Sequence, residues 1–141
     1  MYSKDNPERF RKEFKLKDFK LIDFKGAIIS KFEVDILQEI ETLTNLEFSK
    51  IEKIMYGIRM GFIAEKNLVT GIRLHNCVLS TLPESILKLS SLKELLLNDN
   101  HFKVLPDIIY KLRSLETLYL RDNFLCTLPE SIGNLKSLKS L

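Results

Sequence analysis

The chain has 141 residues, with 22 Lys and Arg against 19 Asp and Glu, a formal net charge of +3. This length suits one domain, or one domain with an arm, and so small a charge excess does not indicate a nucleic-acid-binding protein. No apolar run reaches the roughly 18 residues of a membrane span. No secretory signal opens the chain, and two cysteines do not make a disulfide framework. Composition therefore predicts a soluble, cytoplasmic protein with no membrane span.

Residues 1–32 are predicted to form a basic N-terminal arm with a short helix that starts near Asn6. They carry nine basic and five acidic side chains. Phe14, Phe19 and Phe24 recur every five residues, which is too short a series to indicate a pentapeptide solenoid. We interpret these rings as anchors that dock an otherwise solvated arm. The alternative is attachment of the basic arm to an anionic membrane or a nucleic acid.

Residues 33–68 are predicted to form a helix followed by a strand hairpin. The apolar positions that share one helical face are Phe32, Ile36, Ile40 and Leu43. Glu33 is expected elsewhere on this helix, away from that face. A second short helix is expected over residues 49–54, and a strand over 56–64 that pairs with the next strand across a polar turn. We expect this unit to cap the repeats that follow it.

The second half of the sequence repeats every 23 residues, at 69–91, 92–114 and 115–137, with a partial copy at 138–141. The recurring positions in the second copy are Leu95, Leu97, Asn100, Leu105, Pro106, Ile109 and Leu112. Alternate leucines of a short strand point to one side, the asparagine can bond to neighbouring backbone, and the proline suits the start of a short helix. Because no copy can bury its apolar side alone, the copies are expected to stack.

This pattern resembles the leucine-rich repeat family in its 23-residue LxxLxLxxNxLxxLPxxIxxLxx form. It is similar to the repeats of Ras-group leucine-rich proteins and of Roc-GTPase-associated proteins. The resemblance implies an α/β fold, namely a solenoid that is a right-handed α/β superhelix with a concave parallel sheet, here with an N-terminal α/β cap. It also implies a non-catalytic module or adaptor that binds a protein or peptide partner.

The family's usual binding surface maps onto the outward side chains of the concave sheet. The partner-binding residues predicted there are Arg73, His75, Glu94, Leu96, Asn98, Thr117, Tyr119 and Arg121. Leu96 and Tyr119 are the most informative pair, because both are expected to be exposed although one is apolar and the other aromatic. The neighbouring column holds Asn76, Asp99 and Asp122. A competing patch on the convex side comprises Leu87, Ile108 and Tyr110.

The sequence offers little for catalysis or metal binding. His75 and Cys77 are close in sequence but are expected to face opposite sides of a strand, and no second pair stands at zinc-like spacing. Cys77 occupies the buried asparagine position, whereas Cys126 is expected to be exposed. No phosphate-binding loop pattern occurs. We therefore predict no enzyme activity, no cofactor and no metal.

The partial fourth copy begins a strand at Leu138 and stops at Leu141. A fragment of a longer protein, a truncated gene product and self-association through an uncapped C-terminal edge are three explanations. The first allows an alternative function, as the recognition or regulatory segment of a larger signalling protein such as a GTPase.

Overall fold

The computed structural model describes residues 20–53 and 57–141. The predicted helix near Asn6, the rings of Phe14 and Phe19, and the predicted start of a strand at residue 56 lie outside the described residues. In chain order the strands and helix are β1 Leu21–Phe24, β2 Ala27–Ser30, α1 Lys31–Thr44, β3 Ser49–Lys50, β4 Met60–Glu65, β5 Leu68–Leu74, β6 Glu94–Leu96 and β7 Thr117–Tyr119. The short 3₁₀ helices are Glu84–Lys88, Asp107–Lys111 and Glu130–Asn134.

The main sheet has the strand order β3-β4-β5-β6-β7. β4 and β5 are antiparallel and form the hairpin that the sequence predicted, turning at Lys66 and Asn67, whose φ angles are 51° and 66°. β5, β6 and β7 are parallel and in register, and a bridge from Thr117 to Ser140 continues the sheet. The parallel strands alternate with 3₁₀ helices, which gives the α/β arrangement expected for leucine-rich repeats.

A small hairpin precedes the helix. β1 and β2 are antiparallel around Lys25 and Gly26, whose φ angles are 54° and 90°. Two successive positive φ angles define the type I′ turn that suits the twist of a two-residue hairpin. The chain passes directly from β2 into α1, and Ser30, the last residue of β2, is also the N-cap of the helix. Its side chain accepts a hydrogen bond from the Glu33 N–H at 3.3 Å.

The buried face of α1 differs from the predicted one. The residues that it buries are Glu33, Val34, Ile36, Leu37 and Ile40, whereas Leu43 is half-exposed. Ile36 and Ile40 were predicted correctly, and the expectation that Glu33 lies away from the core was wrong. Because Ser30 caps the helix with no intervening linker, the direction of β2 fixes the orientation of α1.

The second helix predicted at 49–54 was also wrong over the described residues. Ser49 and Lys50 form β3 instead, and the Ile51 N–H donates to the Phe62 carbonyl at 2.9 Å. The preceding Phe48 is buried with its ring centroid 6.2 Å from that of Phe62. Packing of this aromatic ring and pairing with β4 hold the segment extended, a long-range effect that outweighs its local helical pattern.

The three 3₁₀ helices lie in the repeats after the parallel strands, each preceded by a proline with extended backbone. Their isoleucines Ile86 and Ile109 are fully buried in one cluster that also contains Phe62 and Leu118. Within residues 20–53 and 57–141, no helix has the length and apolar character needed to cross a membrane.

The convex patch predicted from the sequence is not an exposed surface. Ile108 and Tyr110 are buried, and Leu87 is partly buried against the core. The physical reason is that consecutive 3₁₀ helices contact one another, so side chains expected on the outside are enclosed between neighbouring repeats.

Candidate protein-interaction surface

Two rows of side chains cross the face of the main sheet opposite the core. Strand register places Gly61, Arg73, Leu96 and Tyr119 side by side, and we call this set the Tyr119 row. The next set, which we call the Glu94 row, comprises Ile63, Gly71, Glu94, Thr117 and Ser140. The positions between them, such as Leu95 and Leu118, point into the core. This alternation is that of a pleated strand.

Leu96 and Arg73 are buried, although the sequence predicted that they would be exposed. Leu96 is 3% exposed and Arg73 is 5% exposed, and neither belongs to the main core cluster. Their strand alternation was predicted correctly, because both side chains do leave the core face. The prediction of a free surface was wrong, because both side chains are almost fully enclosed.

Two isoleucines lie over glycines on this face. A Cβ atom on Gly61 would stand 2.6 Å from Ile51 Cδ1, and one on Gly71 would stand 3.0 Å from Ile63 Cδ1. Ile51 and Ile63 are both buried, and neither joins the main core. The glycines therefore provide the space in which a second, smaller apolar layer forms over β4 and β5.

The segment Gly57–Arg59 runs beside the end of β5. The His75 N–H donates to the Arg59 carbonyl at 2.8 Å, and the Arg59 guanidinium donates to the Asn76 carbonyl. Arg73 reaches the same segment from the sheet, since its Nε donates to the Ile58 carbonyl. Three hydrogen bonds thus fix this segment against β5 and the turn after it.

The exposed part of the predicted site lies over β6 and β7. Tyr119 is 39% exposed, Arg121 is exposed, and Glu94, Thr117 and Asn98 are half-buried. Asn98 Oδ1 accepts the Arg121 N–H at 2.9 Å, so this amide holds the backbone under the guanidinium. The sixth residue, His75, is half-buried at the edge of this area.

Ionisable side chains at the carboxyl ends of the strands lie close to one another. His75 Nδ1 lies 3.2 Å from Asp99 Oδ2, and Arg121 Nε lies 3.1 Å from Asp122 Oδ2. The Tyr119 and Ser140 hydroxyls are 3.4 Å apart. Arg121 remains the most accessible cation of the predicted set, because its side chain is 84% exposed despite this pairing.

Asn76, Asp99 and Asp122 have a structural role that the sequence interpretation missed. Their φ angles are 53°, 57° and 56°, in the left-handed region that asparagine and aspartate tolerate better than other non-glycine residues. The signal was present in the sequence, because only these two residue types occupy that position in three copies. Backbone conformation is thus sufficient to explain this column.

Side-chain amides tie each repeat to the preceding one. Asn100 Oδ1 accepts from the N–H groups of Cys77 and Leu79 at 3.0 and 3.1 Å, and its Nδ2 donates to the carbonyls of Leu74 and Leu97 at 2.7 and 3.0 Å. Asn123 forms three of the four equivalent bonds one repeat later, to the Phe102 N–H and to the Leu97 and Leu120 carbonyls. These bonds confirm the predicted role of the turn asparagine.

The two thiols differ as predicted, with Cys77 buried and Cys126 exposed. Burial raises the pKa of the Cys77 thiol, although the guanidinium charges of Arg59 and Arg73 act in the opposite direction. A buried thiol with a raised pKa is a poor nucleophile. Over residues 20–53 and 57–141, no three His, Cys, Asp or Glu side chains are grouped as metal ligands would be.

Comparison with known proteins identifies the repeats. The family model described as "Leucine rich repeat" matches residues 90–141. The structure of a leucine-rich repeat protein from Leptospira interrogans is similar over 73% of this chain and 26% of that one, with 24% identity and a TM-score of 0.44. The chain therefore spans about a quarter of that protein's length. No curated protein sequence matches this chain. Residues 90–141 are leucine-rich repeats, as the pattern of Leu, Asn and Pro predicted.

Proposed function

We propose that this chain is a non-catalytic protein-interaction module that binds a protein or peptide over β6 and β7. Leucine-rich repeat domains generally mediate protein–protein interactions, and the family match covers both of these strands. The observation that carries the proposal is Tyr119, an aromatic side chain 39% exposed on the face opposite the core. Tyr and Arg are enriched among the residues that dominate binding energy. Exposed Arg121 follows Tyr119 closely in the sequence.

The proposed contact surface is smaller than the one predicted from the sequence. It comprises Glu94, Asn98, Thr117, Tyr119 and Arg121, with His75 at its border. In this proposal Leu96 supports the Tyr119 ring from the neighbouring strand, and Arg73 closes the surface on the side of β5. The mixture of Arg, Glu, Asn and Tyr favours a protein or peptide over a polyanion.

We further propose that residues 69–141 form a short solenoid and that residues 33–68 cap it. The hairpin of β1 and β2 was predicted as part of a separate arm over 1–32, but we assign it to the cap because Phe24 and Ile29 share the core. The cap is supported by β4, which pairs antiparallel with the first repeat strand and covers that edge of the sheet. Additional support comes from Phe62 and Leu37, which share a cluster with the leucines of the repeats. A cytoplasmic location, a role in signalling and self-association stay predictions.

Affinity capture from a lysate of the source organism tests the binding surface. The wild-type protein is compared with Tyr119→Asp/Arg121→Glu and with a control, Val104→Asp, which places a charge on an exposed loop outside the two rows. All three proteins first need matching circular-dichroism melts. We expect a bound protein that the wild type and control retain and the double variant loses. Equal capture by all three would show that the partner binds elsewhere.

A further inference from the structure

We propose that Arg73 is a latch that keeps the β5 side of this face filled by the chain's own residues. The latch limits the open surface to β6 and β7 while it is closed. Its opening exposes Leu96 and extends the apolar surface next to Tyr119 by one strand. The consequence for a partner rests on the proposed function, whereas the latch itself does not.

The Tyr119 row is filled from one end. Ile51 occupies the space above Gly61, Arg73 follows on β5, and Leu96 follows on β6. All three side chains are buried, and Tyr119 on β7 is the first one in the row with substantial exposure. Arg73 is therefore the link between the apolar layer over β4 and the leucine that borders the open surface.

Arg73 is an unusual residue for such a position. Long cationic side chains commonly lay their methylene groups over apolar surface while the charged end stays in water. Here the whole residue is 5% exposed, and within the described part of the chain no carboxylate lies within ion-pair distance of it. Its Nε donates instead to the Ile58 carbonyl. A buried charge held by a carbonyl is a costly arrangement, and it is easier to open than a packed leucine.

The attachment of Gly57–Arg59 explains why one hydrogen bond can hold the Arg73 side chain in place. The other two hydrogen bonds of the segment involve Arg59, and they lie at the end of β5, with His75 and Asn76. The Arg73 bond is the one that reaches Ile58 from the face of the sheet. Loss of that bond leaves the segment held at Arg59 and frees the Arg73 side chain, which neighbours Leu96 on the adjacent strand.

Thiol labelling at position 96 tests the latch without any partner. Leu96→Cys and Tyr119→Cys are made separately in a Cys126→Ser background, which leaves buried Cys77 as the other thiol. Each is combined with Arg73, with Arg73→Met, which keeps the stem but removes the donor, and with Arg73→Lys, which keeps a donor. The probe is a small thiol-reactive disulfide reagent, and the rate of labelling is measured under native conditions.

We expect Arg73→Met to raise the labelling rate at position 96 by at least about tenfold, since it removes a hydrogen bond to a charged donor. Arg73→Lys should keep most of the protection, and labelling at position 119 should be fast and unchanged in all three. Equal rates for Arg73→Met and wild type at position 96 would overturn the proposal. Equal loss of protection in the Met and Lys variants would do so too.

A second measurement remains decisive if Arg73→Met destabilises the whole protein and exposes Cys77. Labelling of Leu96→Cys with Arg73 present is then followed in low, non-denaturing urea. A latch opens locally, so the rate at position 96 should be nearly independent of urea, whereas the Cys77 rate should follow global unfolding. The same steep urea dependence at both positions would mean that Leu96 is exposed only by unfolding, and would refute the latch.

Discussion

Glu33 has its carboxylate inside the protein, although it belongs to the first turn of α1. The residue is 1% exposed, and its Oε2 accepts the Val69 N–H at 3.2 Å. With Ser30 as the cap, the spacing matches a capping box, in which the glutamate would normally bond back to the cap residue. Here the carboxylate joins the helix to β5 instead, and burial raises its pKa to about 7.

This carboxylate predicts that stability falls as the pH rises. The pKa of Glu33 in the folded state, about 7, exceeds the ordinary value of 4.5. Its favourable contribution is therefore complete below about pH 4.5 and is lost as the pH rises through 7. Glu33→Gln keeps an acceptor for Val69 without the charge, so we expect a gain of about 1–3 kcal/mol in the free energy of unfolding at pH 8.

Urea unfolding at pH 5 and pH 8 measures this effect, and the gain from Glu33→Gln should be much smaller at pH 5. Glu47→Gln is the matched control, because the Glu47 side chain is 89% exposed. Equal pH dependence in the wild type and Glu33→Gln would show that this carboxylate is ionised in the folded protein without cost.

At the scale of strands and helices, sequence patterns correctly predicted the strands whose side chains alternate between the core and the opposite face. The Leu-x-Leu spacing predicted β6 and β7, and the polar turn before Leu68 predicted the hairpin of β4 and β5. Both features follow from short-range geometry, since alternation assigns side chains to faces and turns require particular backbone angles.

The same patterns gave the wrong exposure for Leu96 and Arg73, for a physical reason. Alternation determines which side chains leave the core face, but it carries no information on whether a distant segment covers them. Ile51, which lies over Gly61, and Ile58, whose carbonyl accepts from Arg73, are both distant from β5 and β6 in sequence. Strand spacing therefore predicted which side chains leave the core face, but not the burial of Arg73 on β5 and Leu96 on β6.

The register of the third repeat makes a direct prediction. Leu118 is fully buried in β7, so Leu118→Ala should lower the free energy of unfolding by about 2–5 kcal/mol through lost packing and a cavity. Thr117→Ala is the matched control on the same strand, because Thr117 lies on the opposite face and is half-buried. A melt of Leu118→Ala that coincides with the wild type would mean that the strand register is wrong.

At the scale of the whole molecule, one apolar cluster joins the N-terminal hairpin to the repeats. It begins at Phe24, includes Leu37 of α1 and Phe62 of β4, and continues through Leu95 to Leu135. Phe24 and Phe62 stand with their ring centroids 5.6 Å apart, which links the small hairpin to the main sheet. A shared core of this kind favours unfolding in a single step.

We therefore expect one cooperative transition for residues on both sides of β5. Leu37→Ala and Leu118→Ala should each move the whole urea transition to lower concentration with an unchanged slope, by about 2–5 kcal/mol. Far-ultraviolet circular dichroism and tyrosine fluorescence should report the same midpoint for each variant. Two separated transitions in Leu37→Ala would show that the helix and the repeats unfold independently.

The direction of the asparagine hydrogen bonds determines whether a whole repeat can be removed from the chain. Asn100 bonds backward, to Leu74, Cys77 and Leu79, and Asn123 bonds backward in the same way. Excision of residues 92–114 would bring Asn123 to the place of Asn100, next to the backbone groups of Leu74, Cys77 and Leu79. We therefore expect that a whole 23-residue period downstream of the first copy can be removed with these backward bonds kept. Cys77 holds the equivalent position in the first copy, where the preceding strand β4 is antiparallel to β5 and supplies no earlier repeat turn to bond.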